Sequence, residues 1–160
     1  MRTSIRAVLL AALLGSGAAL AAGGGGGGGG GAADARPSDP VVERATLATQ
    51  REEWANAQSL WRDVLARNPS DAEYHNMYAY SLRKGPNPDM SLVFKHYNEA
   101  LRIDPKHKGA HEYLGEAYLM VNNLPKAKEQ LGALDKLCFF PCKEYSDLKQ
   151  AVADYEAKGK

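Results

Sequence analysis

Long apolar runs are scarce in this chain. The longest, residues 7–14 (AVLLAALL), is broken by Gly15, Ser16 and Gly17 and falls short of the ~20 residues a bilayer span requires. No stretch alternates apolar and polar residues for long enough to argue a strand, which excludes the sheet-based classes. Charge of one sign is missing too: 20 basic residues stand against 19 acidic ones, a formal balance of +1. Such a balance leaves no footprint for nucleic acid or an anionic membrane. Catalytic signatures are also absent. There is no G-x-S-x-G, no phosphate-cradling glycine loop joined to a strand, no H-E-x-x-H and no cofactor fingerprint. The expectation is a non-enzymatic protein with no cofactor and no metal.

What is present begins with an export signal. Arg2 and Arg6 precede the apolar run, no acid accompanies them, and Ala19-Leu20-Ala21 puts small residues at the two positions a signal peptidase reads. Residues 1–21 are expected to be a signal peptide, with a retained anchor as the alternative. No cysteine follows the run, which argues against a lipid anchor. Cleavage would remove two arginines and no acid, taking the formal charge from +1 to about −1. Nine glycines, Gly23–Gly31, then open a leader over residues 22–39 that has no side chains to bury and a large backbone entropy to lose. It is either a spacer or the product of repeat slippage. The expected location is periplasmic or secreted, with no membrane insertion after cleavage.

From Pro40 onward, apolar residues recur three and four apart, so residues 40–158 are expected to be all-α. Ser70-Asp71-Ala72-Glu73 has the form of a capping box, with Ser70 as the cap. Asn68-Pro69 and Asp104-Pro105 end helices, because the residue before proline is pushed out of the α region.

The segments WRDVLARNPSD, YNEALRIDPKH and LGALDKLCFFP close three helices alike, and AEYHNMYAYSL and GAHEYLGEAYL follow two of them. Asp71 and Lys108 lie 37 residues apart, about three more than the 34 or so of a tetratricopeptide repeat, and the surplus falls in KGPNPDM, where glycine and prolines make an insertion cheap. The chain resembles that family. His111, Leu114, Gly115, Tyr118, Ala127, Leu131 and Leu134 follow its pattern in the last repeat. Tyr74, Met77, Tyr78, Ser81, Val93, Tyr97, Ala100 and Pro105 follow it in the middle one, and Ala57, Trp61, Val64 and Pro69 in the first. Tyr78 at the small position and Phe139 in place of the closing proline depart from it. The resemblance implies a short right-handed solenoid of about three helix pairs, with repeats at 40–70, 71–107 and 108–141 and a capping helix at 142–158. Ala57, Ala100, Gly115 and Ala127 should let the two helices of each repeat nest, while Trp61, Tyr97 and Tyr118 fill the spaces between repeats.

The only cysteines, Cys138 and Cys142, flank Phe139-Phe140-Pro141. In an exported protein this spacing suits a disulfide, with an exported thiol or copper-binding site as the competing expectation. His107 and His111 have helical i, i+4 spacing but no third ligand at motif distance, so they read as packing or surface residues. Carboxylate pairs such as Glu52-Glu53 and Glu112 with Glu116 read as solvated helix faces.

The resemblance further implies a concave groove for a peptide or partner helix, on His75, Ala79, Leu82 and Arg83 of the middle repeat and Glu112, Glu116, Leu119 and Met120 of the last. Leu82, Leu119 and Met120 should form an apolar strip there. Family members that grip a terminal carboxylate carry Lys and Asn at the positions read here as His75 and Ala79, so an acidic C-terminal tail is not the expected ligand. The function implied is a protein–protein adaptor. A self-associating module, as a homodimer, is the alternative.

Overall fold

Side chains at the helix starts decide where each helix begins. The computed structural model describes residues 39–159, so the signal peptide and the leader up to residue 38 lie outside the described residues. All regular structure among the described residues is helical: α1 (Pro40–Gln50), α2 (Trp54–Arg67), α3 (Ala72–Lys84), α4 (Met90–Ile103), α5 (Lys108–Met120), α6 (Leu124–Leu137) and α7 (Lys143–Ala157). Asp39, Asp71, Asp89, His107 and Asn123 each accept a first-turn backbone N–H of the helix that follows. Asn68 and Asp104, each before a proline, terminate α2 and α4 as expected.

Two sequence expectations shift here. Asp71, not Ser70, caps α3, and Glu73 reaches to His107 of the next repeat at 2.8 Å instead of closing a capping box. Asp39, assigned to the leader, belongs to the folded unit: it caps α1 and pairs with Arg67 at the end of α2 at 2.9 Å. An aspartate before a proline at the first helical position is itself a start signal.

Helices pack with their chain neighbours, and α7 lies against both α5 and α6. Three apolar clusters result. Ala57, Trp61 and Val64 centre the first, Val93, Tyr97 and Leu114 the second, and Leu134, Leu148 and Val152 the third. Each joins one helix pair to the helix that follows, so stability is built from nearest-neighbour interfaces. The buried indole N–H of Trp61 donates to the Thr49 hydroxyl at 2.9 Å, which donates in turn to the Ala45 carbonyl, so the bulkiest core side chain leaves no polar group unpaired.

The repeat step is 36 residues, from Ala72 to Lys108, not the 37 of the sequence reading. Matched contacts fix it. His75 Nε2 donates to the Pro69 carbonyl at 3.0 Å, and His111 Nε2 approaches the Pro105 carbonyl at 3.0 Å. In this register Ala79, fully buried, is the counterpart of Gly115, and Tyr78 that of Leu114, so the apparent bulky residue at the small position disappears. The extra length lies where expected: residues 85–89 join α3 to α4, whereas residues 51–53 and 121–123 make three-residue turns. Those two turns share a left-handed residue, Glu52 and Asn122, each at φ 58.

Gly115 makes room for a different neighbour from the one expected. A methyl group at this position would lie 2.5 Å from Leu148 Cδ2 of α7, so the glycine admits the capping helix. Leu148 is fully buried against it.

Candidate functional site

Helices α3, α5 and α7 define an inner surface. α3 touches α5, and α5 touches α7, while α2, α4 and α6 make no comparable contacts with one another. Rods packed more closely on one side of a stack curve toward that side, so α3, α5 and α7 present the concave face.

Arg83, in the last turn of α3, anchors this face. Its side chain is 7% exposed, and its Nη2 meets Glu116 Oε2 of α5 at 2.6 Å. Its Nε donates to the Tyr97 hydroxyl of α4 at 3.3 Å, and its guanidinium carbon stands 5.5 Å from the ring centroids of both Tyr80 and Tyr113. Burial opposes the charge on Arg83, yet Tyr97 and Glu116 hold its pKa above the ordinary value. The same burial pushes the Tyr97 hydroxyl upward and raises Tyr113 to about 12, with Glu112 adding to the latter. Tyr80 and Tyr113 meet at 4.7 Å, and Trp54 meets Tyr80 edge-on at 6.0 Å. An aromatic and cationic cluster therefore ties four helices, α2 to α5, together.

Beside it opens a cleft of about 290 Å³ between α3, α5 and α7, lined by Glu73, Asn76, Met77, His107, Gly109, Glu112, Tyr113, Lys143 and Glu144. Glu112 is 6% exposed. Burial, then the charges of Glu116 and Asp147, pushes its carboxyl up to about 7, against the pull of Lys143. His107 caps α5 through Nδ1 and donates through Nε2 to Glu73, whose hydrogen bond holds its pKa above the usual imidazole range. Asn76 is 2% exposed, and among the described residues its Oδ1 has no hydrogen-bond partner.

Comparison with solved structures finds this architecture repeatedly. The TPR2B domain of yeast Sti1, solved as a pHsp70 complex, superposes with a TM-score of 0.65 at 18% identity over 74% of this chain and 94% of that one. The fold is that of a tetratricopeptide-repeat (TPR) array. The Arabidopsis OM64 TPR domain matches with a TM-score of 0.64 at 16% identity, covering 72% of this chain and 93% of that one. The Yersinia enterocolitica type III secretion translocator chaperone SycD matches with a TM-score of 0.65 at 13% identity, covering 74% and 83%. No family model and no curated protein matches the chain.

The TPR register corrects the groove. His75 and Ala79 were expected to line it. Instead, His75 lies buried between α3 and α4, with its Nδ1 2.8 Å from His96 Nδ1, and Ala79 is wholly buried in the second cluster. Burial, then repulsion from His75, lowers His96 to about 4. The expected strip of Leu82, Leu119 and Met120 is not formed. Leu82 packs between the first two clusters, Leu119 packs into the third, and Met120, 48% exposed, borders a separate cleft against α7. Arg83, Glu112 and Glu116 do converge on the concave face, but Glu116 is engaged by Arg83 and Glu112 is buried. The two glutamates are therefore not a solvated helix face.

Asn76 and Tyr80 are the residues sequence reasoning missed. A step of 36 back from Glu112 and Glu116 reaches them directly, whereas a step of 37 lands on the buried His75 and Ala79. The corrected positions hold Asn76 and Tyr80, so the lysine of a carboxylate grip is absent there as well. Cys138 and Cys142 form a disulfide with Cα atoms 5.8 Å apart, leaving no free thiol for copper, and the loop they close holds Phe139 and Phe140 at 94% and 76% exposure.

Proposed function

We propose that this protein is a non-enzymatic adaptor, exported to the periplasm or beyond the cell, that holds a peptide or partner helix against the inner face of α3, α5 and α7. The observation that carries the reading is the inner cleft, where side chains from α3, α5 and α7 meet beside the buried carbonyl oxygen of Asn76, to which no described residue donates. Relatives in fold support it. The SycD chaperone was solved in complex with a peptide of the translocator YopD, and the first TPR of Spaghetti (RPAP3) was solved bound to the HSP90 peptide SRMEEVD. A groove of this kind takes an extended chain or a helix by side-chain anchors spaced along it.

Affinity capture from an extract of the source cells, quantified by mass spectrometry, tests the reading. Three proteins are compared: the unaltered chain, Glu73→Lys with Glu144→Lys on the inner face, and Lys95→Glu on the outer surface of α4. A discrete set of captured proteins, lost with the inner pair and kept with the outer change, is expected. Identical capture by all three would overturn the reading.

A further inference from the structure

We propose that the inner cleft receives the guanidinium group of an arginine side chain from the bound partner. The inference rests on the groove reading above and names the chemistry the groove selects. Carboxylates reach the cleft from three helices: Glu73 from α3, Glu112 from α5 and Glu144 from α7. The cations beside them are already occupied. Lys143 is bound to Asp147 on its own helix, and His107 donates to Glu73. Among the described residues no hydrogen bond or ion pair closes on Glu112 or Glu144, although Glu112 is 6% exposed.

A second observation is independent of charge. Asn76 is 2% exposed, and its carbonyl oxygen accepts from no described residue. Its amide nitrogen donates to Glu73 at 3.4 Å and stands at the Gly109 wall of the cleft, 3.4 Å from where a β-carbon on Gly109 would lie. A buried acceptor without a donor is an expense folded proteins seldom carry, and a ligand that supplies the donor removes it. The cleft thus offers acceptors of two kinds, one amide oxygen and several carboxylates, and among the described residues its two cationic side chains, Lys143 and His107, are already paired.

Guanidinium fits this set better than ammonium. It carries five N–H donors in a rigid plane, so it can serve an amide oxygen and a carboxylate at once, and it sheds water more readily than a lysine head. Its plane and methylene stem also need apolar or aromatic walls, which Met77 and Tyr113 provide. Arg83 already shows the preference within this molecule, buried between Tyr80 and Tyr113 and closed by Glu116. A volume of about 290 Å³ accommodates one such side chain and excludes a folded element.

Selection of displayed random peptides on the full chain tests the proposal. The expected outcome is enrichment of peptides with an arginine at a fixed position. Replacing that arginine with citrulline, the uncharged isostere, should weaken the best peptide at least tenfold, and so should Glu112→Gln with Glu144→Gln in a protein whose melting temperature is preserved. Lys95→Gln on α4 should leave affinity unchanged. If peptides are enriched but tolerate lysine or citrulline equally, the guanidinium assignment falls while the groove reading stands. If no peptide is enriched above background, both fall.

Discussion

Arg83 of α3 and Glu116 of α5 meet at 2.6 Å, with the arginine side chain 7% exposed and the glutamate 29%. Removing one partner of such a pair leaves an uncompensated charge in a place water reaches poorly. Glu116→Ala should therefore cost about 3 kcal/mol, while Arg83→Met combined with Glu116→Leu should cost less than the single change. Denaturant unfolding of both variants checks this. Equal or greater loss in the double variant would show that the pair itself, not the stranded charge, dominates.

The glycines of α5 and α6 give a paired prediction. Gly115→Ala gains about 1 kcal/mol of helix propensity, but its methyl would stand 2.5 and 2.7 Å from the two Leu148 methyls and 3.2 Å from Cγ, so no single rotamer change clears it. Overpacking of this kind costs about 1–3 kcal/mol, and Gly115→Ala should lower the melting temperature. Gly132→Ala, with nothing within 4 Å of the new methyl, should raise it by the propensity gain alone. Thermal melts that rank the two variants the other way would contradict the placement of α7.

A turn supplies a third case. Glu52 and Asn122 occupy the same place in equivalent three-residue turns, both at φ 58, a region where asparagine is tolerated and glutamate is strained. Glu52→Asn should stabilise the protein by up to about 1 kcal/mol, measured by the midpoint of urea unfolding. No change, or a loss, would mean that the Glu52 side chain makes up the strain elsewhere.

Glu112 should leave a signature in the pH dependence of stability. Its carboxyl titrates near 7 in the folded chain and near 4.3 when unfolded, so between those values the folded state holds more protons. Stability from this group therefore falls as pH rises across the window, by an amount on the order of 1 kcal/mol after solvent screening. Glu112→Gln should remove that slope. Melting curves of the two proteins should diverge between pH 5 and pH 7.5, the variant being relatively more stable at the upper end. Parallel curves would contradict the burial of an uncompensated carboxylate.

Helices and their ends were legible in the sequence, because three-and-four spacing and the Asn-Pro and Asp-Pro steps act locally. The solenoid was legible from self-similarity. The groove was not, and the failure turned on one residue. Tyr78 and Ala79 are adjacent, and the five-residue turn Gly85–Asp89 blurs the repeat length, so a step of 37 looked as good as 36. On a helix, one residue is a rotation of about 100°, which moved the middle repeat's groove positions from Asn76 and Tyr80 into the core. The role of Gly115 was misread for a related reason: a small residue announces that something approaches, but only the packing shows that it is Leu148 of α7.

The central claim is that partners dock on the inner layer of α3, α5 and α7. Site-specific photo-crosslinking tests it most directly, with the photoreactive residue placed in turn at Lys84, exposed at the end of α3 beside Arg83, and at Lys95, exposed on α4. Irradiation with source-cell extract should give a discrete crosslinked partner from position 84 and none from position 95. Crosslinks from position 95 alone, or from neither position, would contradict the account.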